Sequence, residues 1–350
     1  MTKYYTRACN FFYGSHSKKL VRNKSTLPLC GDSSISFNQI EIFIKEKKKI
    51  RSKIISIKKI NKLPLIVKKK IYEDIKKITS KREFLRKKNH ILMGILNLTP
   101  DSFSDGGKFN NKSKSLKHIS KMINSGADII DVGGESTRPG SKTIHPKIEW
   151  KRIKHVVKIF KKKFNHTSLS LDTRKSDLMV KGIDYGVDLI NDVSGFNYDL
   201  HSLPKLKKFK IPKILHHMQG SPDTMQIKPN YKNVLLDIYD FFEENLNKRI
   251  KDNKVILDPG IGFGKTLKHN LTLISKISLF HSLGLPILIG TSRKRFISQI
   301  SGKYDTKERI GGTLASVLFL LSQGVQIFRV HNVSEIKQGI LVFNKILLSK

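Results

Sequence analysis

The chain has 350 residues, enough for one large domain or two of ordinary size. Its 67 lysines and arginines outnumber its 28 acids, and the formal net charge of +39 suggests an anionic partner: nucleic acid, a membrane surface or a phosphorylated small molecule. A general bias toward lysine is the competing explanation, and the lack of any run of about 18 apolar residues excludes a membrane-spanning helix.

Residues 1–88 differ in composition from the rest and are expected to form an N-terminal accessory extension of unknown role. Residues 35–44 alternate loosely between apolar and polar side chains, as in strands, and residues 66–86 carry Ile71, Ile75 and Ile78 at helical spacing. The first 30 residues are basic, as in a transit peptide, but their aromatic residues favour a packed segment, so organellar targeting stays open. Cys9 and Cys30 match no metal spacing, which favours a reduced, cytoplasmic protein.

Residues 89–350 alternate helical patterns with short apolar runs. Gly126, Gly186 and Gly324 each end a helical pattern, and each is followed five residues later by a polar residue that closes a strand. Strands that alternate with helices predict parallel βαβ units. Eight strands in about 260 residues predict a (β/α)8 barrel, with a doubly wound open sheet as the alternative. The predicted strands are 91–97, 128–133, 168–172, 187–192, 211–217, 254–258, 286–290 and 326–331.

Nearly every predicted strand ends in a polar residue, and a barrel places its active site at these ends. The residues are Asn97, Asp131, Asp172, Asn191, His216 with His217, Asp258, Ser292 to Lys294, and Arg329 with His331. The acids and the amide offer acceptors for a ring that donates several N–H groups, whereas the basic residues offer donors for an anion. This set predicts a site for a neutral heterocycle that carries phosphate.

Two further patterns have weaker support as functional sites. Residues 264–266 (GKT) resemble the end of a P-loop, but the glycine required five residues before Gly264 is Pro259. We interpret residues 258–265 as a tight loop that brings backbone close to a ligand. His216 and His217 lack partner ligands at fixed spacing, so packing is favoured over metal binding.

Two long motifs, residues 96–107 (LNLTPDSFSDGG) and 131–140 (DVGGESTRPG), are specific enough to indicate a family. They resemble the first two signatures of the dihydropteroate synthases, a family of pterin-binding enzymes. Shorter matches follow in family order and together cover residues 91 to about 350. They are 172–173 (DT), 191–195 (NDVSG), 217–220 (HMQG), 258–265 (DPGIGFGK), 292–294 (SRK) and 329–331 (RVH).

The resemblance implies a cytoplasmic (β/α)8 transferase of folate biosynthesis. Such an enzyme condenses 6-hydroxymethyl-7,8-dihydropterin diphosphate with 4-aminobenzoate to give 7,8-dihydropteroate and diphosphate. By motif, the pterin would be held by Asp172, Asn191, Asp258 and Lys294. The diphosphate region would contain Asn97, Thr137, Arg329 and His331, with Mg²⁺ at Asn97. Thr137, Arg138, Pro139, Phe263 and Lys294 would lie near the aminobenzoate.

Asp101, Arg138, Asp172, Asp258 and Lys294 are the expected catalytic residues. Asp172 and Asp258 could stabilise the positive charge left when diphosphate departs, while the loops of Asp101 and Arg138 close over the intermediate. The resemblance also allows a homodimer.

Some features depart from the family pattern. Arg174 and Lys175 follow the third motif, where they are expected to start a helix. Asn332 stands where an aspartate is common.

Two other functional classes are the alternatives. A pterin-binding methyltransferase barrel would share the pterin acids but would not need the loop 136–140 or the Arg329–His331 anion pair. A basic nucleic-acid-binding protein would cluster its charge on one face with interleaved aromatic residues. Here the lysines are spread and only one tryptophan is present. We therefore expect neither nucleic acid nor membrane as a partner.

Overall fold

Eight parallel strands form the centre of the protein, and apolar side chains cover both faces of most of these strands. In the computed structural model, the described residues are 2–47, 49–82, 90–99, 112–250, 254–302 and 304–348. The barrel strands are β5 Ile91–Asn97, β6 Ile129–Gly133, β7 Ser168–Asp172, β8 Leu189–Asp192, β9 Lys213–His216, β10 Val255–Asp258, β11 Leu288–Ile289 and β12 Ile327–Val330. Each is a short apolar run of the kind that fits a parallel sheet covered on both sides.

The sheet closes on itself. Its strand order is β10-β9-β8-β7-β6-β5-β12-β11, and a parallel bridge between Leu257 and Ile287 joins the two end strands. Closure excludes the doubly wound open sheet and confirms the predicted (β/α)8 barrel.

Helices follow the strands and cover the barrel. They are α3 Lys112–Asn124, α4 Pro146–Val157, α5 Phe160–Lys163, α6 Ser176–Asp184, α7 Ser202–Leu206, α8 Val234–Lys248, α9 Leu267–Ser275, α10 Arg295–Ser301, α11 Ile310–Ser322 and α12 Val333–Leu348. Gly126, Gly186 and Gly324 lie just beyond α3, α6 and α11 with φ of 100°, 88° and 79°. Their left-handed backbone ends each helix, as their spacing predicts. No helix within the described ranges is long and apolar enough to span a membrane.

The N-terminal residues form a second, antiparallel sheet. Its strands are β1 Thr2–Tyr13, β2 Leu27–Leu29, β3 Asp32–Glu46 and β4 Lys49–Ser56, with helices α1 Gly14–Arg22 and α2 Leu65–Thr79. The long strand β3 pairs with β1 on one side and with β2 and β4 on the other. The strand predicted over 35–44 is part of β3, and the helix predicted over 66–86 corresponds to α2, although residues 83–86 lie outside the described residues.

The N-terminal sheet lies against the barrel through both apolar and charged contacts. Tyr5 is fully buried, and its ring meets that of Tyr239 of α8 edge to face at 5.1 Å. Its hydroxyl donates to Asp240 at 2.9 Å. Glu41 of β3 accepts from Arg7 at 2.7 Å and from Lys276 of the barrel at 3.0 Å.

Candidate active site

The functional end of the barrel is built by the two-residue period of its strands. An apolar layer closes the barrel interior, and it includes Ile129, Leu189, Ile214, Ile256 and Ile327. Two residues after each of these comes a polar residue. They are Asp131, Asn191, His216, Asp258 and Arg329. Side chains two positions apart share a face of a strand, so the polar set points inward above the apolar layer.

Ten of the predicted site residues line one cavity of about 750 Å³ at this end. They are Asn97, Thr137, Arg138, Pro139, Asn191, Asp258, Phe263, Lys294, Arg329 and His331. Asp172 stands behind this wall and contacts Arg329. The predicted catalytic residue Asp101 lies outside the described residues. The cavity thus collects residues from most strands of the barrel, as expected for the ligand site of this fold.

A chain of charged and amide groups crosses the cavity floor. The buried carboxylate of Asp131 accepts from Arg329 Nε at 2.6 Å and from Asn191 Nδ2 at 3.1 Å, both on the same oxygen. Arg329 Nη2 also donates to Asp172 at 2.9 Å. Because the Asn191 amide nitrogen is committed to Asp131, its carbonyl oxygen is left as an acceptor for a ligand.

Burial perturbs both acids assigned to the pterin. The pKa of Asp172 is raised by desolvation and by the neighbouring Asp131 carboxylate, an effect that Arg329 opposes. Desolvation raises the pKa of Asp258 to about 6, although Gly260 N–H donates to its Oδ1 at 2.8 Å. Two acids with perturbed pKa values, one lining the cavity and one directly behind its wall, are typical of a functional site.

An aromatic and cationic pair forms one side of the cavity. The Lys294 ammonium lies over the Phe263 ring, 4.0 Å from its centre, and the His216 ring meets Phe263 edge to face at 4.6 Å. Burial and the charge of Arg329 lower the pKa of Lys294 to about 8. His216 Nδ1 donates to the Val193 carbonyl at 2.9 Å, so this ring is held in place.

His331 is arranged as a neutral hydrogen-bond donor. Its backbone N–H donates to Ser292 Oγ at 3.2 Å, and the same oxygen lies 3.0 Å from its Nδ1. The Ser292 hydroxyl can therefore donate to Nδ1, which leaves the ring proton on Nε2. Burial and the nearby positive charge of Arg293 hold the pKa of His331 well below its usual range.

A buried ionic network anchors the loop that carries Thr137, Arg138 and Pro139. Glu135 accepts from Arg174 Nη2 at 2.7 Å, from Lys175 at 2.8 Å and from the Ile144 backbone at 3.0 Å. Lys175 also pairs with the fully buried Glu149. Arg174 and Lys175 immediately precede helix α6, as expected, and they also fix the start of this loop.

Asn332 accepts from Arg293. Arg293 Nε and Nη2 both donate to its Oδ1, at 3.0 and 2.7 Å, and its own amide donates to Glu335 at 3.0 Å. The amide thus keeps the hydrogen bond that an aspartate at this position would make, without its charge.

Two groups near the cavity were not among the predicted site residues. Asp131 was recognised as a strand end, and its position in the same two-residue pattern as Asn191 is the signal that could have assigned it. Lys265 also lines the cavity and is 3% exposed. The sequence analysis gave residues 258–265 a backbone role only, so the side chain of Lys265 was not assigned to the site.

The predicted Mg²⁺ would have one predicted protein ligand, Asn97. Among the described residues, no group of three or more His, Cys, Asp or Glu side chains could hold a metal ion. Asn97 is a half-buried amide on the cavity wall. One neutral oxygen fits Mg²⁺ only if water and substrate phosphates supply the other ligands, which is the usual mode for this ion.

Comparisons with known proteins identify the family. Residues 93–331 match the family described as pterin binding enzyme. The dihydropteroate synthase of Escherichia coli K12 is 40% identical over 263 residues, which cover 74% of this chain and 92% of that protein.

The chain belongs to the dihydropteroate synthases of the pterin-binding enzyme family.

Solved structures support the same family. The Yersinia pestis dihydropteroate synthase with a sulfonamide drug complex superposes with a TM-score of 0.71 at 38% identity, over 73% of this chain and 94% of that one. The Xanthomonas albilineans enzyme with 4-aminobenzoic acid gives 0.66 at 31% identity, over 73% and 93%. The chain is therefore a transferase of folate biosynthesis, and the methyltransferase alternative is wrong.

Proposed function

We propose that the cavity binds the pterin diphosphate with its ring on the floor and its diphosphate toward β12. Asp172, Asn191, Asp258 and Lys294 hold the ring, while Asn97, Thr137, Arg329 and His331 surround the diphosphate. The observation that carries this orientation is the hydrogen bond from Asn191 to Asp131, because it turns the Asn191 carbonyl into an acceptor for a ring N–H.

The ring end is rich in acceptors. Besides Asn191, the Asp258 carboxylate is engaged through Oδ1 with Gly260, while its Oδ2 lies 3.9 Å from His216 Nε2, beyond hydrogen-bond distance. Oδ2 can therefore accept from the ligand. Acceptors suit a pterin, whose ring nitrogens and amino group donate N–H bonds.

The opposite end is rich in donors. Arg329 brings positive charge to this end, and neutral His331 presents a ring N–H, while Lys294 and Arg138 add positive charge elsewhere in the same cavity. An arriving diphosphate would raise the pKa of His331 by supplying negative charge. This arrangement stabilises the charge that develops on the leaving group.

4-Aminobenzoate occupies the space between the Phe263–Lys294 pair and the loop 137–139. An aromatic carboxylate suits this position because Phe263 offers a ring face and Lys294 and Arg138 offer positive charge. A relative was crystallised with 4-aminobenzoic acid and another in the presence of pteroic acid, which supports both halves of the assignment.

In the reaction, the C–O bond between the pterin methylene and the diphosphate breaks, and its electron pair leaves with the diphosphate oxygen. The arylamine nitrogen forms the new C–N bond and then releases a proton to solvent or to the departing diphosphate. Asp172 and Asp258 lie where their negative charge stabilises the methylene cation. Because the nucleophile is a weak base, its positioning contributes more than a strong general base.

Mg²⁺ is proposed to bind at Asn97, and Asp101 of the signature at residues 96–107 is proposed as a further participant in catalysis. When bound, Mg²⁺ would neutralise charge on the diphosphate and so improve it as a leaving group.

The decisive experiment mixes the protein with the pterin diphosphate, 4-aminobenzoate and Mg²⁺, and follows diphosphate and dihydropteroate together. We expect both to form in equal amounts and only when 4-aminobenzoate is present. Asp172→Asn is expected to reduce turnover while the protein stays folded. Full turnover with unchanged substrate binding would show that Asp172 does not stabilise charge, and release of diphosphate without the arylamine would contradict the assignment of the second substrate.

A homodimer in the cytoplasm is the proposed state of the enzyme. Helices α11 and α12 expose Phe319, Leu341 and Val342 to 48%, 52% and 56%, an apolar strip that a second copy would cover. Both cysteines are free, in keeping with a reducing compartment. Sedimentation should give twice the chain mass for the wild type and the single-chain mass for Phe319→Glu.

A further inference from the structure

We propose that Lys265 is a positioning residue that clamps the loop 259–265 onto the end of strand β9 and thereby fixes the Phe263 ring against 4-aminobenzoate. This inference rests on the proposed placement of 4-aminobenzoate at Phe263 and Lys294.

The loop 259–265 lies very close to the chain that leaves β9. A Cβ atom added to Gly260 would lie 2.0 Å from the His217 carbonyl oxygen, and one added to Gly264 would lie 2.8 Å from that of Gln219. Both glycines have positive φ, 69° and 61°. Only glycine permits this approach, so the loop and the β9 exit form one closely packed unit.

Side chains hold three consecutive carbonyl groups of this loop. Gln226 donates to Gly262 O at 2.8 Å, Lys265 to Phe263 O at 2.8 Å and Tyr231 to Gly264 O at 2.9 Å. Lys265 is the only one of the three donors that belongs to the loop itself and also reaches His217, the first residue after β9. It therefore ties the backbone of Phe263 directly to the chain that leaves this strand.

The contacts of Lys265 match the donors of an ammonium group. Besides Phe263 O, its Nζ lies 3.1 Å from His217 Nδ1 and 3.4 Å from His217 O. An ammonium has three N–H donors, one for each of these acceptors, whereas a neutral amine has two. Burial keeps the His217 ring neutral by lowering its pKa well below the usual range, so Nδ1 can act as an acceptor.

The position of the Phe263 ring matters because it contacts both other parts of the aminobenzoate site. The ring meets His216 edge to face and lies beneath the Lys294 ammonium. If the loop relaxed, the Phe263 ring would move relative to the Lys294 ammonium, and the contact between them would be lost. The Asn191 and Asp131 groups of the pterin site make no contact with Lys265, whereas Phe263 belongs to the aminobenzoate site. Aminobenzoate binding is therefore expected to weaken more than pterin binding.

The clamp is also sensitive to pH. Desolvation lowers the pKa of Lys265 to about 7, with Lys294 acting in the same direction and Asp258 opposing both. The other titratable groups that face it are His216, His217 and Tyr231, and His269 of helix α9. Loss of the Lys265 proton removes one donor, so aminobenzoate binding should weaken as pH rises through about 7.

The test compares Lys265→Met with Lys268→Met, a control on the exposed side of α9. Loss of hydrogen bonds to buried acceptors costs roughly 1–3 kcal/mol, so Lys265→Met should raise KM for 4-aminobenzoate by about 5-fold to 150-fold. The Kd for the pterin diphosphate, measured by calorimetry, should change by a smaller factor than the KM for 4-aminobenzoate, since the hydrogen bonds of Asn191 and Asp131 are untouched. The Lys268→Met control should match the wild type.

The pH profile separates positioning from mere folding. Wild-type KM for 4-aminobenzoate should rise above about pH 7, and Lys265→Met should lose this limb and retain only the one that Lys294 produces near pH 8. In a Phe263→Ala background, Lys265→Met should add little, because the clamp acts through that ring.

Several results would overturn the proposal: an unchanged KM for 4-aminobenzoate in Lys265→Met, equal losses for both substrates, or full additivity with Phe263→Ala. Should Lys265→Met fail to fold, the wild-type profile decides, and a flat KM between about pH 6 and pH 7.5 contradicts the clamp. A wild-type protein that forms no dihydropteroate would instead contradict the proposed function.

Discussion

Asp258 is a buried acid that is proposed to bind the pterin but that lowers the stability of the fold when it ionises. Its pKa of about 6 in the folded protein lies above the ordinary value of 3.8. The folded state therefore holds the proton more tightly than the unfolded state, and the protein loses stability as pH rises from about 4 to about 6. Above that range the enzyme carries a buried charge that it needs for the pterin but that weakens its fold.

We predict that Asp258→Asn stabilises the protein at pH 7.5 while it abolishes most activity. The amide cannot ionise, yet its oxygen can still accept from Gly260 N–H. The gain in the free energy of unfolding should be on the order of 1–3 kcal/mol at pH 7.5 and should vanish below about pH 4. Urea denaturation at both pH values measures it, and lower stability than wild type at pH 7.5 would contradict the prediction.

At this scale the sequence predicted which residues face the cavity but not what they contact. Their positions at polar strand ends placed Asp131, Asn191 and Arg329 at the functional end of the predicted barrel. The sequence could not show that Arg329 lies between Asp131 and Asp172, because these contacts join different strands and residues up to 198 positions apart in the chain. The hydrogen-bonding state of Asn191 depends on the same contacts.

Among the elements, the loop after β6 depends on the buried network behind it. Lys175 pairs with both Glu135 and Glu149, and its side chain is 6% exposed. Removing one partner of a buried ion pair leaves an uncompensated charge, which typically costs about 3–5 kcal/mol. Both carboxylates would lose the same partner at once.

We therefore predict that Lys175→Met lowers the free energy of unfolding by about 3–5 kcal/mol and raises KM for 4-aminobenzoate, because Glu135 loses one of the contacts that hold it at the start of the Arg138 loop. Lys151→Met, on the exposed surface of α4, should change neither quantity. Denaturation and steady-state kinetics measure the two effects. A Lys175→Met protein with wild-type stability would show that the network contributes nothing.

At the element scale, the sequence predicted where the strands lie more accurately than where each strand begins and ends. The runs predicted at 211–217 and 286–290 shorten to Lys213–His216 and Leu288–Ile289. Each predicted run contains a proline near its start, Pro212 or Pro286. The carbonyl groups of these prolines still accept hydrogen bonds from the neighbouring strands, but proline has no N–H to continue the ladder. Apolar periodicity alone does not contain this information.

For the whole molecule, the main feature that the sequence left open is the relation of the N-terminal sheet to the barrel. Strand and helix patterns were visible in residues 35–44 and 66–86. The docking of β1 on the barrel depends on contacts such as Tyr5 with Tyr239 and Asp240, which no local pattern predicts. These contacts are buried and specific, so we expect the sheet and the barrel to unfold together.

The single tryptophan, Trp150, allows this cooperativity to be tested, because it lies on helix α4 of the barrel and stacks on Tyr185 at 5.8 Å. Replacing a fully buried aromatic residue with alanine typically costs about 3–5 kcal/mol. Tyr5→Ala should therefore shift the Trp150 fluorescence transition to lower denaturant, although Tyr5 belongs to the other sheet. Tyr72→Ala, which removes an exposed ring of the same N-terminal unit, should leave the transition within about 0.5 kcal/mol of the wild type. The opposite result would be a Trp150 transition that Tyr5→Ala does not shift, together with a separate, earlier loss of strand signal in circular dichroism. It would mean that the N-terminal sheet unfolds by itself and that its contacts do not stabilise the barrel.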